Sequence, residues 1–157
     1  TVVDVTVDRK PPELVLPSRP TPAESMPLSA LDERLRLRMK APMIFFYRRN
    51  PRMDGRDPAK VIREALAEAL VYYYPFAGRL IENSDSKLAV DCSDSGSGGV
   101  LFVEADADVE LEEFGDNVFP PSPYSHLFLC SDEENREDEY EKNTISGPLL
   151  LVQVRKL

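Results

Sequence analysis

Apolar residues recur at helical spacing over Asp57–Tyr74, and this is the strongest structural pattern in the chain. Asp57 is a favourable helix N-cap, and Pro58 takes the first helical position, where its missing N–H costs nothing. Pro75 ends the pattern, and Gly78 allows the chain to turn. We therefore predict an amphipathic helix with polar Lys60, Arg63, Glu64 and Glu68 outside and one wide inward face made of Val61, Ile62, Ala65, Leu66, Ala69, Leu70 and Tyr73.

Beyond the helix, the apolar period changes to the alternation that is typical of strands. Leu80, Leu88–Cys92 and Val100–Ala105 predict short strands. Turns are predicted at Asn83–Ser86 and at the Ser/Gly-rich residues 93–99, and the second turn predicts a hairpin between the last two of these strands. The apolar run Leu149–Leu157 predicts a further strand at the end of the chain.

The first third of the chain is rich in proline and less regular. Polar and β-branched apolar residues alternate over Thr1–Val7, which predicts a strand that pairs with another, until Lys10-Pro11-Pro12 interrupts the pattern. The proline-rich residues Leu16–Leu28 predict an extended connector that covers the surface. Met43–Tyr47 is compact and aromatic, which predicts a buried strand. Two short helical turns are predicted, one capped by Ser29 and one over Glu110–Gly115.

Together these elements predict an α/β fold (α+β), a mixed sheet with flanking helices. The 157 residues are about the length of one domain, and their 42% hydrophobic content is ordinary for a globular protein. We therefore predict a single domain over residues 1–157. The formal net charge of −9 repels phosphate backbones and anionic headgroups, so we expect no nucleic-acid and no membrane partner. Charges or prolines interrupt every apolar run before it reaches membrane-spanning length.

Much of the charge lies in residues 131–142, which contain seven acidic side chains and only Arg136 and Lys142 as basic ones. Because this run has few apolar residues, we predict an acidic mobile loop there rather than a docking site for a basic partner.

Cys92 and Cys130 lie far apart, without the spacing of a metal site or a redox pair. We expect two reduced thiols in a cytoplasmic protein, and no metal site. No charged and apolar leader opens the chain, which agrees with this expectation.

No catalytic constellation is visible in the residues. The single histidine, His126, is followed four positions later by Cys130 rather than by an acid, which favours a structural or surface histidine. Gly96, Gly98 and Gly99 have no helix behind them to present its N-terminus to a phosphate, which favours a turn. The alternating carboxylates Glu104, Asp106 and Asp108 are interpreted as a solvated strand edge.

The segment Tyr74-Pro75-Phe76-Ala77-Gly78-Arg79-Leu80 is explicable as architecture, a helix stop followed by a turn and a strand. Together with other segments of the chain, however, this segment is specific enough to indicate a protein family. A series of segments resembles, in the same order, the N-terminal half of the plant BAHD acyltransferases. They are the helix opened by Asp57-Pro58, the segment YPFAGRL, and the later segments at 87–92, 99–105, 114–116 and 148–154. Pro27–Asp32 is similar as well, so the resemblance covers nearly the entire chain.

The resemblance implies the N-terminal half of a chloramphenicol-acetyltransferase-like fold, an incomplete N-terminal acyltransferase domain of plant specialised metabolism. Family members transfer an acyl group from acyl-CoA, as co-substrate, to a small alcohol or amine. This chain looks most like members that acylate small alcohols with benzoyl or acetyl groups. The family's catalytic motifs, His-x-x-x-Asp and Asp-Phe-Gly-Trp-Gly, are absent, and the chain has no Trp.

Carried over by position, the resemblance assigns no catalytic residue and no bound cofactor to this chain. Met43 and Phe45 match positions that can line the acceptor side of the family's tunnel, and a role in the core is an equal alternative. Arg79 is expected to anchor the helix-to-strand turn. We expect a segment that is inactive without its C-terminal part. The alternative is a non-catalytic, truncated relative that acts as a binding module.

Overall fold

The computed structural model describes residues 6–34, 41, 43–93, 98–110, 112–113 and 147–156. These residues form two sheets and one α-helix, in the order β1 (Val7–Arg9), β2 (Glu13–Val15), β3 (Ser25–Pro27), α1 (Pro58–Tyr72), β4 (Arg79–Glu82), β5 (Leu88–Asp91), β6 (Val100–Ala107) and β7 (Leu151–Lys156). The mixed α/β architecture that the sequence predicts is confirmed.

The first sheet is built around β6. Strands β1 and β2 are antiparallel to β6 on the same side of it, in registers that run from Val7 opposite Ala107 to Val15 opposite Val100. Pro11 and Pro12 lie between these two strands, as expected for residues that lack a ladder donor. Strand β7 is parallel to β6, with Leu101 opposite Leu151.

The second sheet has the strand order β3-β5-β4, all antiparallel. The predicted hairpin between β5 and β6 is therefore wrong. Strand β5 pairs instead with β4 across a tighter turn, in which the Ser86 N–H donates to the Asn83 carbonyl over 2.9 Å. Part of the predicted connector is also a strand, because Ser25–Pro27 pairs with β5.

Helix α1 begins and ends close to the predicted residues. The Asp57 carboxylate accepts a hydrogen bond from the Ala59 N–H over 3.3 Å, and Tyr73 closes the helix by donating its N–H to the Ala69 carbonyl over 3.0 Å. One side of α1 packs on the first sheet in a core of Val15, Ala59, Leu70, Ala77, Val100, Phe102 and Val154. A smaller core lies on the second sheet around Leu80, Leu88 and Val90.

Two burial predictions are wrong. Residues 43–47 form no strand, and Met43 and Phe45 are 75% and 67% exposed. A strand is buried only where neighbouring strands and a covering layer exist, and no described strand pairs with this segment. The predicted inward face of α1 is also too wide, because Ile62 and Tyr73 remain 41% and 63% exposed.

The two short helical turns are partly described. At Ser29, the side-chain oxygen accepts a hydrogen bond from the Asp32 N–H over 3.2 Å, within a turn rather than a helix. At Glu110, the carbonyl accepts from the Glu113 N–H over 3.0 Å, and the rest of that predicted turn lies outside the described residues. The acidic residues 131–142 also lie outside them.

Candidate functional site

The segment Tyr74–Arg79 joins the end of α1 to β4. Residues Tyr74–Ala77 form a 3₁₀ turn, closed when the Gly78 N–H donates to the Pro75 carbonyl over 3.0 Å. A Cβ atom at Gly78 would lie 2.7 Å from both the Asp91 carbonyl oxygen and a Val90 methyl carbon. The glycine is therefore required by the close approach of β5, since the backbone oxygen cannot move aside cheaply.

Arg79 lies under this turn and is 8% exposed. Its Nη1 donates hydrogen bonds to three carbonyl oxygens, those of Gly78 at 2.9 Å, Gly99 at 2.8 Å and Ala77 at 3.3 Å. Burial lowers the pKa of the guanidinium, which stays charged because the ordinary pKa of arginine lies far above neutral pH. The side chain thus connects the start of β4 to the residue before β6.

Tyr74 and Phe76 have different surroundings within the same turn. The Tyr74 hydroxyl donates a hydrogen bond to the Glu24 carboxylate, and this bond is the main cause of a raised Tyr74 pKa. Because Glu24 directly precedes β3, the contact connects the end of α1 to the second sheet. Phe76, in contrast, is exposed.

A second group of polar side chains lies at the N-terminal end of α1, and the sequence did not predict it. Lys156, the last residue of β7, has its Nζ 2.8 Å from Asp57 Oδ1 and 3.1 Å from Glu104 Oε1. The Nζ of Lys10 lies 2.6 Å from the same Glu104 oxygen. We call Lys10, Asp57, Glu104 and Lys156 the ion cluster.

The ion cluster changes the pKa values of its members. Hydrogen bonds from Lys156 to Asp57, and from Lys10 and Lys156 to Glu104, lower the pKa values of both carboxyl groups. The same bonds, led by that to Asp57, raise the pKa of Lys156. The interpretation of Glu104 as a solvated edge residue is therefore wrong, while Asp106 on the same side of β6 and Asp108 just after the strand are exposed.

The cluster is a structural arrangement rather than an acid/base pair. Both carboxylates are held ionised by lysines at neutral pH, whereas a general acid or base needs a pKa near the working pH. Asp57 additionally caps α1 with the same oxygen that receives Lys156. The cluster connects the middle of β6 and the end of β7 to the start of the helix.

The other candidate residues are placed apart or not described. Met43 and Phe45 lie on irregular, exposed chain between β3 and α1. Cys92 is a free, half-buried thiol whose pKa is raised mainly by burial. Gly99 precedes β6 with φ +124°, and it connects β6 to the Arg79 turn because its N–H donates to the Ala77 carbonyl. His126, Cys130 and Phe114–Asp116 lie outside the described residues.

Neither a metal site nor a membrane-spanning helix is found in the described part of the chain. Its His, Cys, Asp and Glu side chains form no group of three or more that could hold a metal ion. None of its helices has the length and apolar character needed to cross a bilayer.

Comparison with known proteins places the chain in a family. The model of the Transferase family matches residues 3–157. Benzyl alcohol O-benzoyltransferase of Petunia hybrida is 49% identical over 152 residues, 97% of this chain, and alcohol acyltransferase 17 of Actinidia deliciosa is 50% identical over 151 residues, 96% of it. The chain therefore belongs to the Transferase family, the BAHD acyltransferases.

These relatives are much longer proteins. The chain spans 31% of the length of the Petunia protein, and 31% of that of 13-hydroxylupanine O-tigloyltransferase of Lupinus albus, to which it is 46% identical. The crystal structure of vinorine synthase aligns with 69% of this chain, and the aligned part is 25% of the vinorine synthase chain. The sequence identity is 30% and the TM-score is 0.45.

Proposed function

We propose that this chain is the N-terminal segment of an acyltransferase that moves an acyl group from acyl-CoA to an alcohol. One observation carries the proposal: relatives named as benzyl alcohol O-benzoyltransferase and alcohol acyltransferase match 96–97% of the chain at 49–50% identity. In the reaction, the alcohol oxygen attacks the thioester carbonyl carbon, the C–O bond forms and the C–S bond breaks. Coenzyme A leaves as the thiol, which takes up the proton that the alcohol loses.

This segment acts as a scaffold, because neither a histidine motif in its sequence nor its described carboxylates offer a base for the alcohol proton. Its single histidine is followed by Leu, Phe, Leu and Cys, so the sequence contains no His-x-x-x-Asp motif. The described carboxylates with lowered pKa values, Asp57, Asp91 and Glu104, are poor bases because hydrogen bonds stabilise their ionised forms. The chain alone is therefore inactive, and the polypeptide that follows in the relatives completes the enzyme.

A chimera tests this function. Residues 1–157 replace the matching segment of the Petunia enzyme, and formation of benzyl benzoate from benzoyl-CoA and benzyl alcohol is measured. We expect turnover by the chimera, and none by this chain alone or by the Petunia fragment that lacks the segment. A chimera that is folded by circular dichroism but transfers no acyl group, beside an active parent enzyme, would falsify the proposal.

We further propose that Met43 and Phe45 line the acceptor side of the site. Their support is that both side chains are exposed, so the described chain leaves them available for contact with a small molecule. In the chimera, we expect Phe45→Ala to raise the KM for benzyl alcohol roughly tenfold and leave the KM for benzoyl-CoA unchanged, because one apolar pocket contact is lost.

The matched control is Leu14→Ala, which shortens an exposed apolar residue of β2. It should leave both KM values unchanged. Equal effects of Phe45→Ala on the two KM values would argue against an acceptor-side position and for a general loss of structure.

A further inference from the structure

Helix α1 carries apolar side chains on two sides, and the described chain covers only one. Successive residues are about 100° apart around a helix, so Ala59, Leu66 and Leu70 lie together on the side that packs on the first sheet. Ile62, Ala65, Ala69 and Tyr73 form a second group centred about 75° further round the helix, and all four are exposed. We call these four residues the outer stripe.

The total apolar width of α1 exceeds what one layer can cover. A surface helix usually turns an apolar arc of about 100° toward its core. From Ala65 in the outer stripe to Leu70 on the buried side, the apolar arc of α1 spans roughly 140°, and the polar residues Lys60, Arg63, Glu64 and Glu68 lie outside it. A helix with this pattern is suited to lie between two packed layers, of which the first sheet is one.

We propose that the outer stripe packs against the polypeptide that follows the matched segment in the full-length relatives. The proposal rests on the proposed function, since it takes this chain as the first part of such a protein. Those relatives contain this segment as only 31% of their length, so more than enough polypeptide is available to form a second layer.

The path of the chain supports this occupant. Strand β7 packs against α1, and Lys156 at its end bonds to Asp57, the N-cap of α1. Polypeptide that continues from β7, as it does in the longer relatives, therefore leaves β7 beside the first turn of the helix. The following residues therefore begin at the N-terminal end of α1, the end at which the outer stripe starts with Ile62.

The size of the stripe argues against a separate partner. From Ile62 to Tyr73, α1 rises about 16 Å, which offers far less than the roughly 800 Å² per partner that a specific interface buries. A second copy or another protein would also have to offset the entropy of association. A covalently continuous segment avoids that loss, so a short stripe is sufficient for it.

Cysteine accessibility in the chimera of this chain with the Petunia enzyme tests the proposal. Ala69→Cys lies in the outer stripe, and its matched control Glu64→Cys lies on the polar side of α1. Cleavage after Arg63 and Arg79 places both in one tryptic peptide, 64–79, which contains no native cysteine. Alkylation by iodoacetamide is followed on this peptide by mass spectrometry, with Ala65→Cys as a second variant in the stripe.

We expect Ala69→Cys and Ala65→Cys to react at least about tenfold more slowly than Glu64→Cys in the folded chimera, because a covered residue reacts only during local opening. Equal rates for the three variants would overturn the proposal. If the protection of the stripe cysteines from alkylation disappeared when the chimera was diluted to the monomer, the proposal would also be overturned, because a second copy of the protein would then be what covers the stripe. An inactive chimera with a protected stripe contradicts only the proposed function, and an active chimera with a reactive stripe contradicts only the docking.

Discussion

Arg79 shows how one side chain can hold the point where a helix becomes a strand. The carbonyls of Ala77, Gly78 and Gly99 converge on a single nitrogen of its guanidinium. Buried carbonyls need donors, and here one charged donor serves two separate parts of the chain. The Arg79 side chain therefore stabilises the contact between the end of the segment Tyr74–Arg79 and the start of β6.

Arg79→Met should destabilise the protein by about 2–3 kcal/mol, because it removes a charged donor from the carbonyl oxygens of Gly78 and Gly99, whereas the Ala77 carbonyl keeps the Gly99 N–H. The measurement is the free energy of unfolding from urea titration. Arg63→Met is the matched control, since Arg63 makes an exposed ion pair with Glu13 at 2.7 Å. That loss should stay below about 1 kcal/mol, and similar losses in the two variants would show that the buried carbonyls are not what Arg79 stabilises.

The ion cluster gives the protein a defined pH dependence. Asp57 and Glu104 have folded-state pKa values below their ordinary values of 3.8 and 4.5. Their contribution to stability is therefore complete above about pH 5 and is lost as the pH falls through the lowered values. Lys156 has a raised pKa, so its contribution is complete below its ordinary value of 10.5 and is lost only at higher pH.

Lys156→Met should flatten the acid limb of the stability profile, because both carboxylates lose a cation that favours their ionised forms. Urea midpoints measured from pH 6 down to pH 2 provide the test. Lys10→Met is the control and should flatten the profile less, since Lys10 bonds only to Glu104 within the cluster. Profiles of wild type and Lys156→Met that run parallel would contradict this role for the cluster.

Among the elements, the hairpin of β4 and β5 has an unusual residue in its turn. Ser86 has φ 58°, in the left-handed region, where a side chain is disfavoured. Ser86→Gly should raise the free energy of unfolding by about 0.5 kcal/mol. Glycine removes the steric strain of a side chain at positive φ, and this gain exceeds the additional backbone entropy that glycine loses on folding.

Ser84→Gly is the control for this change. Ser84 lies in the same turn, is exposed and does not have a positive φ, so glycine there should be neutral or slightly destabilising. Thermal unfolding of the two variants distinguishes the cases. Stabilisation by both substitutions would mean that flexibility of the turn, rather than the conformation of Ser86, is what matters.

The elements also show which features can be predicted from sequence. Helix α1 is encoded locally, by the Asp57 cap, Pro58 and the apolar spacing, and its bounds were predicted closely. Pairing of β5 with β4 rather than β6 depends on segments far apart, because β6 takes its partners from β1, β2 and β7. Residues 43–47 have the composition of a buried strand, but burial depends on neighbours that the local pattern does not encode.

The same distinction applies to the candidate site. The segment Tyr74–Arg79 was recognised because its residues are contiguous, whereas the need for glycine at position 78 follows from the close approach of Val90 and Asp91 in β5, which the segment itself does not encode. The ion cluster joins Lys156 to Asp57, 99 positions earlier, through two different elements. Isolated lysines and carboxylates in a chain with 30% charged residues carry no signal of such a contact.

At the scale of the whole molecule, the described residues expose many large apolar side chains outside the two cores. Those that are more than half exposed include Leu16, Leu31, Met43, Phe45, Tyr47, Tyr72, Tyr73 and Phe76. Met43, Phe45 and Tyr47 lie within five positions of one another, as do Tyr72, Tyr73 and Phe76, and neighbouring exposed apolar side chains favour association with other surfaces. The chain by itself is therefore expected to self-associate, whereas the longer protein proposed above covers part of this surface.

The double substitution Phe45→Lys/Tyr73→Lys should lower the self-association of the isolated chain, measured as the weight-average sedimentation coefficient over a range of concentrations. Two added lysines change the formal net charge from −9 to −7, which reduces repulsion between molecules. A charge effect alone would therefore increase association. The matched control Ser18→Lys/Ser84→Lys adds the same charge at exposed polar positions and should not lower association. If both double variants sediment like the wild type, the exposed aromatic side chains are not the surface through which the chain associates.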